Sequence, residues 1–399
     1  MMKWKRTLWI LWTSNFIAVA GVSLIIPFLP LYIEELGVHQ LKDINLWSGW
    51  IFAAQSVTAV IFQPLWGAMA DKYGRKVMLL RAGIGMAVMT LLMGFVSAPW
   101  QLLALRLVNG IFSGFISMSI SLQASITPDE HAGKALGTLQ TGQMAGSLIG
   151  PLIGGILAEA FGFRTVFVLT GMILLMASVV VMIFVDRGAP VQSKEKERSR
   201  GAGDWRTLTP LIPIFIATSV TQIGMMSIQP ILSIYTKSLY HGVHLEFIAG
   251  LVVSITGVAN LIGSPLLGRY GDRIGQRQIL IFSLVMSGLT FIPQALTHNI
   301  TVLLIGRFLL GLFVGGMLPS LNVLVKKLAP REIQARAFGF NSSAQFLGNL
   351  IGPLLGSTVS AVYDIHYVFY ITMSILFANA LMLLFNRKLE QTIANKARS

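Results

Sequence analysis

Long apolar segments separated by short polar ones dominate this chain of 399 residues. A membrane-spanning helix needs about 20 predominantly apolar residues. Twelve segments meet that requirement, with approximate bounds 8–33, 47–69, 77–97, 100–123, 137–159, 165–185, 209–235, 246–268, 278–297, 301–325, 336–360 and 366–386. The alternating segments of about ten residues that build a membrane β-barrel do not occur in the sequence. The pattern therefore predicts an all-α polytopic membrane protein with twelve transmembrane helices.

The composition removes several classes of protein. Charged residues make up 12% of the chain, against about 25% in soluble proteins, so a soluble globular enzyme would expose large apolar areas to water. Cysteine is absent from the sequence. No G-x-x-x-x-G-K-[ST] loop, Ser-His-Asp arrangement or metal-ligand cluster is present in it either. We therefore expect no enzyme, no cofactor and no metal, and any transport must use an ion gradient or the substrate's own gradient.

The basic excess has a topological explanation. Lys and Arg number 30 against 16 Asp and Glu, which raises the possibility of nucleic-acid binding. The basic residues instead form short clusters between the apolar segments. With the N-terminus in the cytoplasm, 25 of them fall in cytoplasmic segments and two, Arg106 and Arg307, fall within spans. Only Lys42, Arg164 and Lys237 fall in segments on the outer side of the membrane. This bias predicts a multi-pass membrane protein with both termini cytoplasmic, and we expect no nucleic-acid partner.

The two halves of the chain repeat each other at an offset of about 201 residues. Residues 67–76 recur at 268–277, residues 102–110 at 303–311, and residues 150–154 at 352–356. The charged, Gly- and Ser-containing stretch 186–207 separates the halves as a cytoplasmic linker. We therefore expect six-helix bundles at 1–185 and 208–399, in the parallel-repeat arrangement of transporters whose substrate binds near the middle of the membrane.

Two charged features of the first half are candidates for coupling and conformational roles. Arg106 lies about two turns inside the fourth span, where a guanidinium is costly and normally faces the bundle interior; Arg307 is its repeat mate. The alternative is a structural charge satisfied by nearby polar groups. In the loop at 67–76, Asp71 could cap a helix or pair with Arg75, or the loop could be a solvated turn.

The fifth span carries four glycines at intervals of four residues, Gly142, Gly146, Gly150 and Gly154, with Pro151 among them. The glycines share one helix face and permit very close helix packing, while Pro151 should kink the helix. A hinge and seal is one interpretation, and ordinary small-residue packing is the other.

None of the sixteen carboxylates lies in the middle of a span. A proton carrier must therefore be a boundary group, and Glu34 and Asp71 are the first candidates. The polar residues of the spans are mostly amides interleaved with aromatics, which suits large, partly apolar ligands. The substrate-binding candidates are Asn15, Phe16, Asn109, Phe112, Gln222, Gln229 and Asn322.

Together these features resemble the major facilitator superfamily over nearly the whole chain. The loop 67–76, the segment 102–114 around Arg106 and the glycine pattern 142–155 are similar to its conserved motifs, and Gly21-x5-Pro27-x-x-Pro30 resembles the first-span motif of twelve-span drug:proton antiporters. Several segments of the amino-acid sequence are also similar to those of bacterial multidrug exporters of the PmrA type, which expel fluoroquinolones and other drugs.

The resemblance implies proton-coupled efflux of amphipathic drugs by alternating access, from a monomer in the bacterial inner membrane. Asp71 and Arg75 would stabilise the outward-facing state, and Arg106 would take part in proton coupling. Unlike some relatives, this sequence has no apparent acid in the cavity, which favours zwitterionic, neutral or lipophilic compounds. Two alternatives stay open: export of one physiological metabolite, sugar or lipid-like molecule, and a membrane sensor or scaffold without transport.

Overall fold

The computed structural model describes residues 3–185, 209–329 and 333–386, and the regular structure within them is helical. The α-helices are α1 Lys3–Ile25, α2 Leu29–Glu35, α3 Leu41–Tyr73, α4 Arg75–Met93, α5 Pro99–Phe112, α6 Phe115–Ile126, α7 Asp129–Phe184, α8 Ile212–Ser227, α9 Leu232–Leu239, α10 Leu245–Ile274, α11 Gln276–Leu296, α12 Ile300–Val314, α13 Met317–Leu328, α14 Gln334–Val362 and α15 Ile365–Phe385. The prediction of an all-α polytopic membrane protein is confirmed.

The number of twelve spans is not exactly confirmed. Ten segments of the described chain are long and apolar enough to cross a membrane. One of them, Lys134–Phe184, covers two predicted spans, and these two helices meet at a kink at Gly162, where φ is 77° and ψ is 162°. The predicted span at 336–360 lies in α14, whose first half carries Gln, Arg, Asn and Ser residues, and α14 is not among the ten.

Breaks within and between helices occur where the sequence places Pro and Gly. The first span is interrupted by a 3-10 turn, Ile26–Phe28, with Pro27 in it and Pro30 just after it. Gly74 and its repeat mate Gly275 adopt φ values of 92° and 105° between consecutive helices. Only glycine adopts this conformation without strain. Tight turns are therefore present in the loop at 67–76 and in its copy at 268–277.

The described residues divide into two compact units. Among the described residues, the first unit contains 3–185 together with Leu232–Ser254, and the second contains 209–231, 255–329 and 333–386. In the first unit, α1 packs along α7 around buried Leu8, Leu11 and Leu139. In the second, α8 packs on α14 and α11 on α15. The predicted linker 186–207 lies outside the described residues, and the bundle bounds 1–185 and 208–399 remain a prediction.

Candidate functional site

The glycines of the fifth span form a ladder against the backbone of α1. An added Cβ at each of them would meet a carbonyl oxygen of α1, and the pairs are Gly142 with Trp12, Gly146 with Phe16, Gly150 with Ala20, and Gly154 with Leu24. Both sets of residues advance by four, which is about one helical turn. The backbone of α1 thus lies within contact distance of all four glycines, and the two helices pack closely along this ladder.

The adjacent face of α7 contacts the first turns of α10. An added Cβ at Gly155 would lie 2.7 Å from the carbonyl oxygen of Glu246, and one at Gly250 would meet the carbonyl of Pro151. The second half of the fifth span is thus in backbone contact with two helices. The backbone of α7 is helical through Pro151 and non-helical at Gly162.

Two ion pairs accompany these contacts within the first unit. Lys237 Nζ donates to both carboxylate oxygens of Glu34 at 2.7 Å. His244 Nδ1 lies 2.5 Å from Glu159 Oε1, and both residues line a cavity of about 500 Å³. These pairs are partly exposed to solvent. They connect the segment 232–254 to the end of the first span and to α7.

Arg106 is buried, with 7% of its surface accessible. Its Nη1 donates to Gln55 Oε1 at 3.0 Å. One turn further along α5, Asn109 is also buried, and its Oδ1 has no hydrogen-bond partner within the described residues. Arg106 therefore faces the interior of the helix bundle, as its position in the sequence predicts, and an amide of α3 is its partner.

The loop at 67–76 is anchored through its basic residues. Arg75 Nη1 donates to the carbonyl of Ser121 at 2.6 Å, and Lys76 Nζ donates to the carbonyl of Met182 at 2.8 Å. In the second repeat, Gln276 takes the place of Arg75, and its Oε1 accepts from Ser320 Oγ at 3.0 Å. The side chain of Asp71 lies outside the described part, so the role proposed for it stays a prediction.

The substrate-binding candidates of the first unit differ in their surroundings. Asn15 is fully buried, and neither atom of its amide has a hydrogen-bond partner in the described chain. Phe16 stacks on Trp12 with ring centroids 5.9 Å apart. Phe112 packs against Gly85 beside the apolar core. Asn15 thus offers an amide without a hydrogen-bond partner in the described chain, and Phe16 offers aromatic surface. Phe112 instead contributes to helix packing.

In the second unit the amides are joined by hydrogen bonds. Gln222 Nε2 donates to Asn349 Oδ1 at 2.7 Å. Asn341 accepts from Thr218 Oγ1 at 2.7 Å and donates to Asn322 Oδ1 at 3.0 Å. These bonds link α8, α13 and α14 in an uncharged polar network, and Asn322 is exposed at its end. Gln229, half-buried between α8 and α9, is outside it.

Lys237 and His244 were not predicted as functional residues, and Gln55, a possible cavity-lining residue, was not predicted as the partner of Arg106. A signal existed for Lys237, because it is one of three basic residues assigned to the outer side, where Glu34 also lies. The partner of Arg106 had no such signal, since α3 and α5 are separated by about 50 residues of sequence and their register is set by packing.

Comparisons with known proteins agree with this architecture. The model of the Major Facilitator Superfamily matches residues 11–242 and 214–399. Two similar relatives are the "Multidrug resistance protein MdtG" of Serratia proteamaculans, 41% identical over 95% of this chain and 93% of its own length, and that of Proteus mirabilis, 40% identical over 94% of each chain.

Solved structures share the fold at low sequence identity. A bacterial homologue of the human lysosomal transporter Spinster aligns with a TM-score of 0.81 at 13% identity, over 98% of this chain and 97% of that one. A D-xylose–proton symporter aligns with a TM-score of 0.77 at 15% identity, over 95% and 97%. This multi-pass membrane protein therefore belongs to the Major Facilitator Superfamily.

Proposed function

We propose that this chain is a secondary active exporter of structurally varied amphipathic drugs, fluoroquinolones among them, driven by protons entering across the bacterial inner membrane. The observation that supports drug export most directly is its 41% identity, over 95% of the chain, with a relative named as a multidrug resistance protein. The exporter functions as a monomer with both termini in the cytoplasm, in agreement with the distribution of its basic residues.

An uncharged polar network suits substrates of varied structure. The amides of Gln222, Asn322, Asn341 and Asn349 supply both donors and acceptors without imposing a fixed charge on the ligand. Such groups fix orientation weakly, while aromatic and apolar surface provides most of the binding free energy. A site of this kind accepts many amphipathic molecules and discriminates little between them.

Proton coupling is assigned to the outer boundary. Protonation of Glu34 removes the negative charge that holds Lys237 through two hydrogen bonds of 2.7 Å. The segment at 232–239 is then released from the end of the first span. External protons therefore favour opening on the outer side, which is the direction that an exporter needs for drug release.

The glycine ladder gives this opening a mechanical basis. Small residues let helix backbones approach closely, and α1 and α7 touch through backbone atoms over four glycines. Gly155 and Gly250 make comparable backbone contacts across α7 and α10. We propose that the contacts between α1 and α7 hold these helices as a rigid pair. The contacts between α7 and α10 then form the seal that opens during transport.

The test is drug transport by purified protein in liposomes with and without an imposed pH gradient. Norfloxacin and a panel of neutral drugs should be transported when the gradient is present, and a protonophore should abolish transport. Export that persists without any ion gradient contradicts the coupling. A panel without transported drugs favours the metabolite exporter instead.

The role of Glu34 is tested by Glu34→Gln, with Glu35→Gln as a matched control. Glu35 is the next residue and forms a longer pair, 3.5 Å, with Arg164. We expect Glu34→Gln to reduce gradient-driven transport at least tenfold and Glu35→Gln to change it less than twofold, at equal amounts of protein. Equal effects of the two variants would show that Glu34 has no special part in coupling.

A further inference from the structure

Another cavity of the first unit, of about 370 Å³, combines a carboxylate with two indole rings. It is lined from α3 by Asp43, Leu46, Trp47 and Trp50, and from α5 by Leu103. The residues of α3 are spaced by three, one and three positions, so they share one face of the helix over its first turns. The cavity thus offers a negative charge near the beginning of α3 and aromatic surface further along it.

The polar and aromatic groups of this cavity are not engaged elsewhere in the described part of the chain. The carboxylate of Asp43 forms no hydrogen bond or ion pair there, and neither does the ammonium of the adjacent, exposed Lys42. The rings of Trp47 and Trp50 contact no other ring and no Lys or Arg head group among the described residues. A carboxylate beside two indole rings is suited to an organic ammonium, which it binds through charge-assisted hydrogen bonds and cation–π contacts.

The internal repeat shows that the fold does not require these side chains. At the offset of 201, the corresponding residues are His244 for Asp43, Ile248 for Trp47 and Leu251 for Trp50. The second repeat builds the equivalent long helix, α10, without a carboxylate or an indole at these positions. Packing of the helix therefore does not explain the cluster in α3, and a ligand does.

An exposed apolar stripe continues from the cavity along α3. Its members have 37–58% of their surface accessible and are Trp50, Val57, Ile61 and Leu65. Their spacing of seven and four residues places them on one helix face. On a membrane-spanning helix such a face contacts acyl chains, and tryptophan is enriched where the hydrocarbon meets the head groups. A ligand that fills the cavity with an ammonium and follows the stripe with an apolar chain is a membrane lipid.

We propose that this cavity binds the head group of a zwitterionic phospholipid with a primary ammonium, phosphatidylethanolamine. The lipid ammonium donates to the carboxylate of Asp43 and lies against the rings of Trp47 and Trp50, while Lys42 pairs with the lipid phosphate. The adjacent acid and base have no net charge, so they complement a zwitterion better than a cationic drug. The site is separate from the substrate-binding candidates and goes beyond the proposed function.

Native mass spectrometry of the purified full-length protein tests the proposal. The probes are dioleoyl-phosphatidylethanolamine and dioleoyl-phosphatidylglycerol, which share their acyl chains and phosphate and differ in the ammonium. Wild type should bind the ethanolamine lipid about tenfold more tightly. Asp43→Asn should remove most of this preference. The double variant Trp47→Ile, Trp50→Leu, which installs the residues of the second repeat, should do the same.

Trp9→Leu is the matched control, because Trp9 is as exposed as Trp50, 54% against 56%, and lies outside the cavity. It should retain the preference of wild type. Equal binding of the two lipids by wild type, or an unchanged preference in either cavity variant, would overturn the proposal. Binding of tetraphenylphosphonium without any lipid preference would assign the cavity to a cationic drug and would overturn it as well. Because no gradient or flux is measured, the result is independent of whether the protein exports drugs.

Discussion

The glycine ladder makes a quantitative prediction about Gly146. Replacing Gly146 by Ala would place a Cβ 2.5 Å from the carbonyl oxygen of Phe16 and 2.9 Å from the backbone nitrogen of Ala20. Ordinary van der Waals contact begins at about 3.4 Å. The two helices would therefore have to separate by about 0.9 Å. The obstructing atoms belong to the backbone, so a rotamer change cannot relieve the clash.

Separation at one step of the ladder affects its neighbours. Gly142 and Gly150 would lose close contact with Trp12 and Ala20 as α1 moves outward. Overpacking of this kind destabilises a well-packed interior by about 1–3 kcal/mol. Transport should fall as well, because the pair α1 and α7 would no longer maintain the same relation to the first turns of α10.

The assay is thermal unfolding in detergent, with Gly137→Ala as the matched control. Gly137 lies in the same helix, and an added Cβ there meets nothing within 4 Å. We expect Gly146→Ala to lower Tm by several degrees and to reduce drug transport, and Gly137→Ala to leave both close to wild type. Indistinguishable behaviour of the two alanine variants would refute the backbone-contact argument.

Two further predictions concern charged residues. Arg106→Ala should reduce drug transport at least tenfold at near-normal membrane levels, because Gln55 loses its buried donor; immunoblots and efflux assays decide this. Asp364 caps α15 by accepting from the backbone N–H of His366 at 2.9 Å, and this bond lowers the pKa of its carboxyl. Asp364→Ala should cost about 1 kcal/mol, while Asp364→Asn should retain most of the cap. Since the folded pKa is depressed, the advantage of Asp over Asn should be complete above the ordinary carboxyl pKa and disappear as pH falls through the lowered value, which Tm against pH measures.

Helices and turns were predictable because they depend on local sequence. Apolar length locates the spans, Pro27 and Pro30 interrupt the first one, and Gly74 and Gly275 form the turns. The exact number of spans was less predictable. Two predicted spans meet directly at a kink at Gly162, with no loop between them.

The contact partners of the candidate site residues were harder to predict from the sequence. The spacing of the fifth-span glycines predicts a close neighbour, yet it does not identify that neighbour as α1. The bond from Arg106 to Gln55 joins residues 51 positions apart, and the pair of Lys237 with Glu34 joins residues 203 positions apart. These pairings depend on which helices are neighbours in the bundle. The apolar faces of the helices are similar, and they determine the neighbours only through many weak contacts.

The strength of the outer ion pairs is appropriate to a transport cycle driven by protons. Exposed pairs such as that of Lys237 with Glu34 each contribute about 0.2–1 kcal/mol. A transport cycle that carries one proton across a membrane potential of 100 mV would release about 2.3 kcal/mol. Breaking and re-forming one exposed pair would therefore take up less than half of the free energy of such a cycle. Removing one partner of a deeply buried pair costs about 3–5 kcal/mol, which exceeds that amount. The placement of carboxylates at the boundary, with none in mid-span, is thus compatible with coupling and favours a cycle limited by weak surface contacts.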